Sequence, residues 1–170
     1  EASRLFEERS RAAGAEFTTG PETQEAIDAI VDALDRLPLA IELAAARSTL
    51  LPPQKLLERL SQRFRLLRGG SPSTAKHQGT LHDLIDWSWS LLEPWEKEAM
   101  AQLSVFQNGF FMEAAEDVLD LSRFPDAPWP LDVVGALYDK SLLHRKMVDN
   151  QPRFGMFASI QAFAADRLKE

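Results

Sequence analysis

Pro38 opens the run Pro38, Leu39, Ala40, Ile41, Glu42, Leu43, Ala44, Ala45, Ala46, Arg47, and of all the residues here its type and position offer the clearest surface for chemistry. A proline in the first helical turn gives up nothing, because its missing N–H has no intrahelical partner there, and its fixed φ suits helix entry. The helix then runs from Pro38 to about Leu50. Apart from Glu42 and Arg47 it is apolar nearly all round, which marks a central, buried helix rather than a surface one. Its first amides and the flat face of the proline ring form a small surface that another group can approach.

The remaining residue types with chemical reach reduce to structure. No GxxxxGK[ST] phosphate loop occurs, and no strand ending in paired acids for magnesium precedes the helices. The cluster Arg68, Gly69, Gly70, Ser71, Pro72 lacks a lysine to reach phosphates and reads as a turn. His77, His82 and His144 share no metal-ligand spacing. Ser88 and Ser90 lie on a helix without an evident base, so neither is read as a nucleophile. Trp87, Trp89 and Trp95 follow the packing pattern of a helical pair, and together with Trp129 they read as core rather than as a ligand platform. Arg63, Arg65 and Arg68 form a basic cluster that reads as a solvated face. Alone, the chain is expected to catalyse nothing.

Helices must position Pro38. Ala2 to Ala13 puts Leu5 and Phe6 on one face, and Pro21 starts a second helix with Ile27, Ile30, Val31 and Leu34 at helical spacing. Pro52 and Pro53 end the Pro38 helix and launch a fourth that carries Leu56, Leu57 and Leu60. These stripes predict a four-helix bundle. Beyond it, Leu81, Leu84, Ile85, Trp89 and Leu92 mark a helix from about Thr80, Pro94 opens another, and further helices are expected at Glu113 to Leu119, Leu131 to Lys140 and Ala158 to Leu168. Two extended runs around Asp149, Asn150, Gln151, Pro152 predict a β-hairpin. Helix followed by hairpin is the order of a winged helix. The expected fold is therefore mainly α: a helical bundle over residues 1–68, a Gly, Ser and Thr-rich linker over 69–79, and a winged-helix-like domain over 80–170 with a short β-hairpin.

The string DRLPLAIELAAAR resembles the GxP region of STAND-class signalling NTPases in their bacterial regulator branch, related to NB-ARC proteins, where the usual form is DGLPLAIELAAAR. EASRLFEERSRAA, LLERLSQRFRLLRGG, HQGTLHDLIDWSWSLLEPWEKEAMAQLSVFQNGF, ALYDKSLL and RFGMFASIQAFA extend the resemblance over nearly the whole chain. In that family the proline lies against the adenine of bound ATP or ADP, which the resemblance assigns to Pro38 with its neighbour Leu37. Arg36 occupies the family's glycine position. Met156, Phe157 and Ala158 stand where the family has a Met-His-Asp switch motif; they offer neither a phosphate donor nor a carboxylate, and Met156 and Phe157 read as core residues joining the hairpin to the last helix. The chain thus looks like the second half of an NTPase module. The resemblance implies ATP or ADP in the full-length parent and none held by this chain itself. The implied partners are an N-terminal P-loop domain of the parent and downstream output or repeat domains, with nucleotide-driven oligomerisation of the parent.

Composition fits a cytoplasmic piece. There are no cysteines, no signal peptide and no apolar run long enough to span a bilayer, so no membrane partner is expected. Residues 1–76 carry eleven basic and eleven acidic side chains, whereas 77–170 carry eight against fifteen. That acidic field opposes DNA binding, although Arg145, Lys146 and Arg153 on the hairpin could touch a backbone. Three functions stay open. The first is the regulatory arm of a nucleotide-dependent signalling switch, with transcription as its output. The second is a regulator whose winged helix reads DNA, and the third is an interaction scaffold with a decayed nucleotide site, motivated by Arg36, Phe157 and Ala158.

Overall fold

Proline sets the start of most helices in the computed structural model, which describes residues 1–67 and 74–169, with side chains for all of these except 63–67 and 74–78. Pro21 opens α2 (Pro21–Ala33), Pro38 opens α3 (Pro38–Ala46), Pro53 opens α4 (Pro53–Leu67), Pro94 opens α6 (Pro94–Leu103) and Pro130 opens α8 (Pro130–Asp139). The others are α1 (Ala2–Ala12), α5 (Thr74–Ser90), α7 (Met112–Val118) and α9 (Ala158–Leu168). The observed fold is mainly α, a helical bundle followed by a winged-helix-like arrangement with a short hairpin. Residues 69–73 of the expected linker lie outside the described residues, and 74–79 form the start of α5. The chain divides into two compact units, Glu1–Asp86 and Trp87–Glu170, and the division falls within α5.

In the first unit α1 packs along α3, and α2 along α4. Phe6, Ile27, Ile30, Leu34, Ile41, Leu43, Leu56 and Leu60 are buried between them. Small alanines let α1 approach α3 closely, so the Ser10 hydroxyl lies 3.4 Å from the Ala45 carbonyl and 3.3 Å from the Ser48 hydroxyl. The charged residues of α3 are also accommodated. Half-buried Glu42 meets Arg9 of α1 at 3.4 Å, and Arg47, in the short 3-10 turn Arg47–Thr49 that ends the helix, is buried. The Ser3 hydroxyl donates to Asp28, tying α1 to α2 and holding that carboxyl below its usual range. The side chains of Arg63, Arg65 and Arg68 lie outside the described residues.

In the second unit, α6, α7 and α8 lead into β1 (His144–Val148) and β2 (Gln151–Gly155), paired antiparallel from His144↔Gly155 to Val148↔Gln151. Asp149 and Asn150, at φ 49° and 62°, form the two-residue turn that suits the strands' twist. A further pairing completes the sheet. Phe110 bridges Phe154 through reciprocal backbone bonds of 2.8 and 2.9 Å, in a segment where the sequence places no strand. Helix, strand, helix, helix, hairpin is the winged-helix order. Gly109, at φ 82°, lays its α-carbon directly against the Phe154 carbonyl. α9 packs on α6.

Candidate functional site: the mouth of α3

The α2 to α3 corner is built by backbone. At the end of α2 the Asp35 N–H donates to the Asp32 carbonyl at 3.0 Å and the Arg36 N–H to the Val31 carbonyl at 3.1 Å, the crossed pair of a Schellman closure. Asp35 and Arg36 both take left-handed conformations, at φ 54° and 56°. Arg36, where the resembled motif has glycine, is thus an arginine in a left-handed conformation. Leu37 then turns extended, at φ −72° and ψ 120°, as a residue before proline must. Pro38 follows in the first turn of α3.

Pro38 is exposed and Leu37 half-buried. Pro38 lines an open cavity of about 690 Å³ together with Arg4, Leu5, Glu8, Arg36 and Ile41. Leu37 is not part of that lining. Its carbonyl accepts the Ile41 N–H at 2.9 Å, so it acts as the N-cap that aims Pro38 outward. No side chain caps α3, which leaves the amides of its first turn to an external acceptor.

Sequence reasoning missed the opposite wall. Arg4, Leu5 and Glu8 come from α1, where Leu5 marks the apolar face and the i,i+4 spacing of Arg4 and Glu8 gives an ion pair that closes at 2.8 Å, but neither signal points to α3. Arg36 pairs with Asp32 at 3.0 Å. The cavity lining thus combines apolar Leu5, Pro38 and Ile41 with charged Arg4, Glu8 and Arg36.

The second unit offers less. Arg145 and Lys146 are exposed on β1, with the Arg145 guanidinium 5.1 Å from the Tyr138 ring, and Arg153 sits half-buried over Phe111 at 5.3 Å. Asp132 and Asp139 are exposed on α8, and Lys140 at its end is held by Glu96 at 2.6 and 2.7 Å. Phe157, at 37% exposure, stands at the surface rather than in the core, its ring 4.9 Å from His144, while Met156 is half-buried. Trp87, Trp89 and Trp95 are half-buried, Trp89 edge-on to Phe163 at 5.5 Å. Trp129, read as core from the sequence, is 81% exposed at the start of α8. The Ser90 hydroxyl donates to the Trp87 carbonyl at 2.6 Å, as helix serines do. Among the described residues no group of three or more His, Cys, Asp or Glu is placed to hold a metal ion, and no helix is long and apolar enough to cross a membrane.

No family model matches the chain. Over its whole length it is 30% identical to an uncharacterized protein found in Mycobacterium bovis and in Mycobacterium tuberculosis, of which it spans 43%. It is also 33% identical, over 99% of its length, to a protein of the same two species provisionally named an HTH-type transcriptional regulator, of which it spans 19%. The chain thus covers less than half of the first relative and about a fifth of the second. From end to end it is similar to segments of larger mycobacterial proteins, one of which carries a transcriptional-regulator name.

Proposed function

We propose that this chain is a regulatory module of a larger transcriptional regulator. Its first unit offers the Pro38 mouth of α3 to the base of an adenine nucleotide, and its second unit passes the nucleotide state to other domains. One observation carries the nucleotide part: an exposed proline ring, at the start of an otherwise buried helix, lines an open cavity of about 690 Å³. The transcriptional part rests on the similarity to the HTH-named regulator. In the whole protein, phosphate-binding residues of a P-loop domain complete the site, because this chain has no phosphate loop.

Pro38→Ala in the full-length protein tests this reading. Alanine is a good helix former, so stability changes by less than about 1 kcal/mol. Affinity for ATP and ADP falls about fivefold with the loss of the ring's contact area. Unchanged affinity in an equilibrium titration removes Pro38 from the base site.

The comparisons favour a second reading more directly, that of a regulator whose winged-helix unit binds DNA, and exposed Arg145 and Lys146 support it. The charge balance weighs against it. Residues 77–170 hold eight basic against fifteen acidic side chains, the presented face of α8 carries Asp132 and Asp139, and Lys140 is engaged by Glu96. Non-specific DNA affinity follows the number of phosphates neutralised, each adding about −0.9 to the slope of log K against log salt. With Arg145 and Lys146 as the exposed cations of the hairpin, the slope expected for contact through the hairpin is no steeper than about −2, and duplex stays unshifted at physiological salt. Binding at physiological salt with a slope of about −5 establishes the DNA reading instead.

A further inference from the structure

Arg36 holds a backbone conformation that glycine adopts without strain and arginine does not. One left-handed residue is enough for the Schellman closure of α2, and Asp35, a residue type that tolerates the conformation, already supplies it. The second strained position therefore needs a reason beyond helix termination. The side chain gives none through stability. Its ion pair with Asp32, at 3.0 Å, joins groups 72% and 64% exposed, and such pairs contribute almost nothing. What Arg36 does have is a place: it lines the same open cavity as Pro38.

We infer that Arg36 is a specificity-determining residue that lays its guanidinium plane against the purine ring resting on Pro38. The inference depends on the reading of Pro38 as a purine wall. A planar, delocalised guanidinium is weakly hydrated and stacks on π faces, which an ammonium does not do. Asp32 accepts from the guanidinium at 3.1 and 3.0 Å while leaving the side chain exposed. The ligand recognised is the base rather than the phosphates, so adenosine, which has no phosphate, is the probe.

Adenosine is titrated at millimolar concentrations into the isotope-labelled full-length protein, in which the rest of the site is present, while the backbone amide shifts of this chain are followed by NMR. The amides of residues 36–41, and those of Arg4 to Glu8 across the cavity, shift together in the native chain. Arg36→Gly raises the melting midpoint of the first unit by about 5 °C, because the strain is gone. The same variant weakens the adenosine Kd at least about fivefold, so the loss is not one of folding. Arg36→Lys, which keeps the charge and lacks the plane, weakens binding too and brings no gain in stability. Adenosine binding as tight as native in either variant overturns the role of Arg36 and leaves the Pro38 reading standing. An absence of shifts at residues 36–41 in the native chain overturns both.

Discussion

Gly109→Ala is expected to lower the stability of the second unit by about 3 kcal/mol or more, among the largest single effects in this chain. Two separate costs combine. At φ 82° a Cβ is strained whatever the space around it, and here it also collides with the Phe154 carbonyl oxygen. That oxygen is a backbone atom already accepting the Phe110 N–H at 2.8 Å, so it has no room to yield without breaking the bridge. The stacked rings of Phe110 and Phe154, 6.0 Å apart, lose their register when the strands separate. Urea unfolding measures the loss, and amide exchange at Phe110 and Phe154 locates it. A change below about 1 kcal/mol contradicts the close approach described here.

Lys140→Ala is expected to cost about 3 kcal/mol, and Glu96→Ala less, about 2 kcal/mol. The order follows from which partner is buried. The Glu96 side chain is 5% exposed and the Lys140 side chain 31%, so removing the lysine strands a carboxylate away from water, while removing the glutamate leaves an ammonium that still reaches it. Glu96 keeps one partner in either state of Lys140, because the Glu93 N–H donates to it at 2.9 Å at the start of α6. That bond keeps the lysine loss below the upper end of the range for buried pairs. Thermal or chemical denaturation of the two variants checks the ranking, and a reversed order contradicts the burial assignment. The pair also bears on function, since it fixes the end of α8 to α6 and withholds the cation at that end of the helix from any nucleic acid.

Most of this architecture was legible because its signals are local. A proline in the first turn and an i,i+3/i+4 apolar stripe announce a helix from a handful of neighbouring residues, so α2, α3 and α9 begin where the sequence places them. The hairpin was legible for the same reason, through Asp149 and Asn150 between two extended runs. The strand at Phe110 was not, since one bridging residue has no period and its partner Phe154 lies far along the chain. Gly109 likewise shows its purpose only once that partner is in place.

At the candidate site, Pro38 could be read from its position in the helix, but the part played by Arg4, Leu5 and Glu8 could not, because α1, which carries them, meets the mouth of α3 only through the packing of the bundle. Residue type misled at Trp129 and Phe157. Both begin helices at the surface, where the extended cap residue points its side chain away from the core that follows. At Arg36 the left-handed conformation occurs with arginine in the place of glycine, and residue type gives no warning of it.

Photolabelling of the full-length protein with 8-azido-ATP, followed by peptide mapping, tests the role of the α3 mouth most directly, since the reactive group sits on the base itself. Label is expected on the peptide containing Pro38 and on the facing turn of α1 around Leu5, and it should be competed away by ATP and ADP. Specific, competable label confined to other segments, with none at residues 36–41 or on α1, contradicts the proposal that Pro38 forms a wall of the purine site.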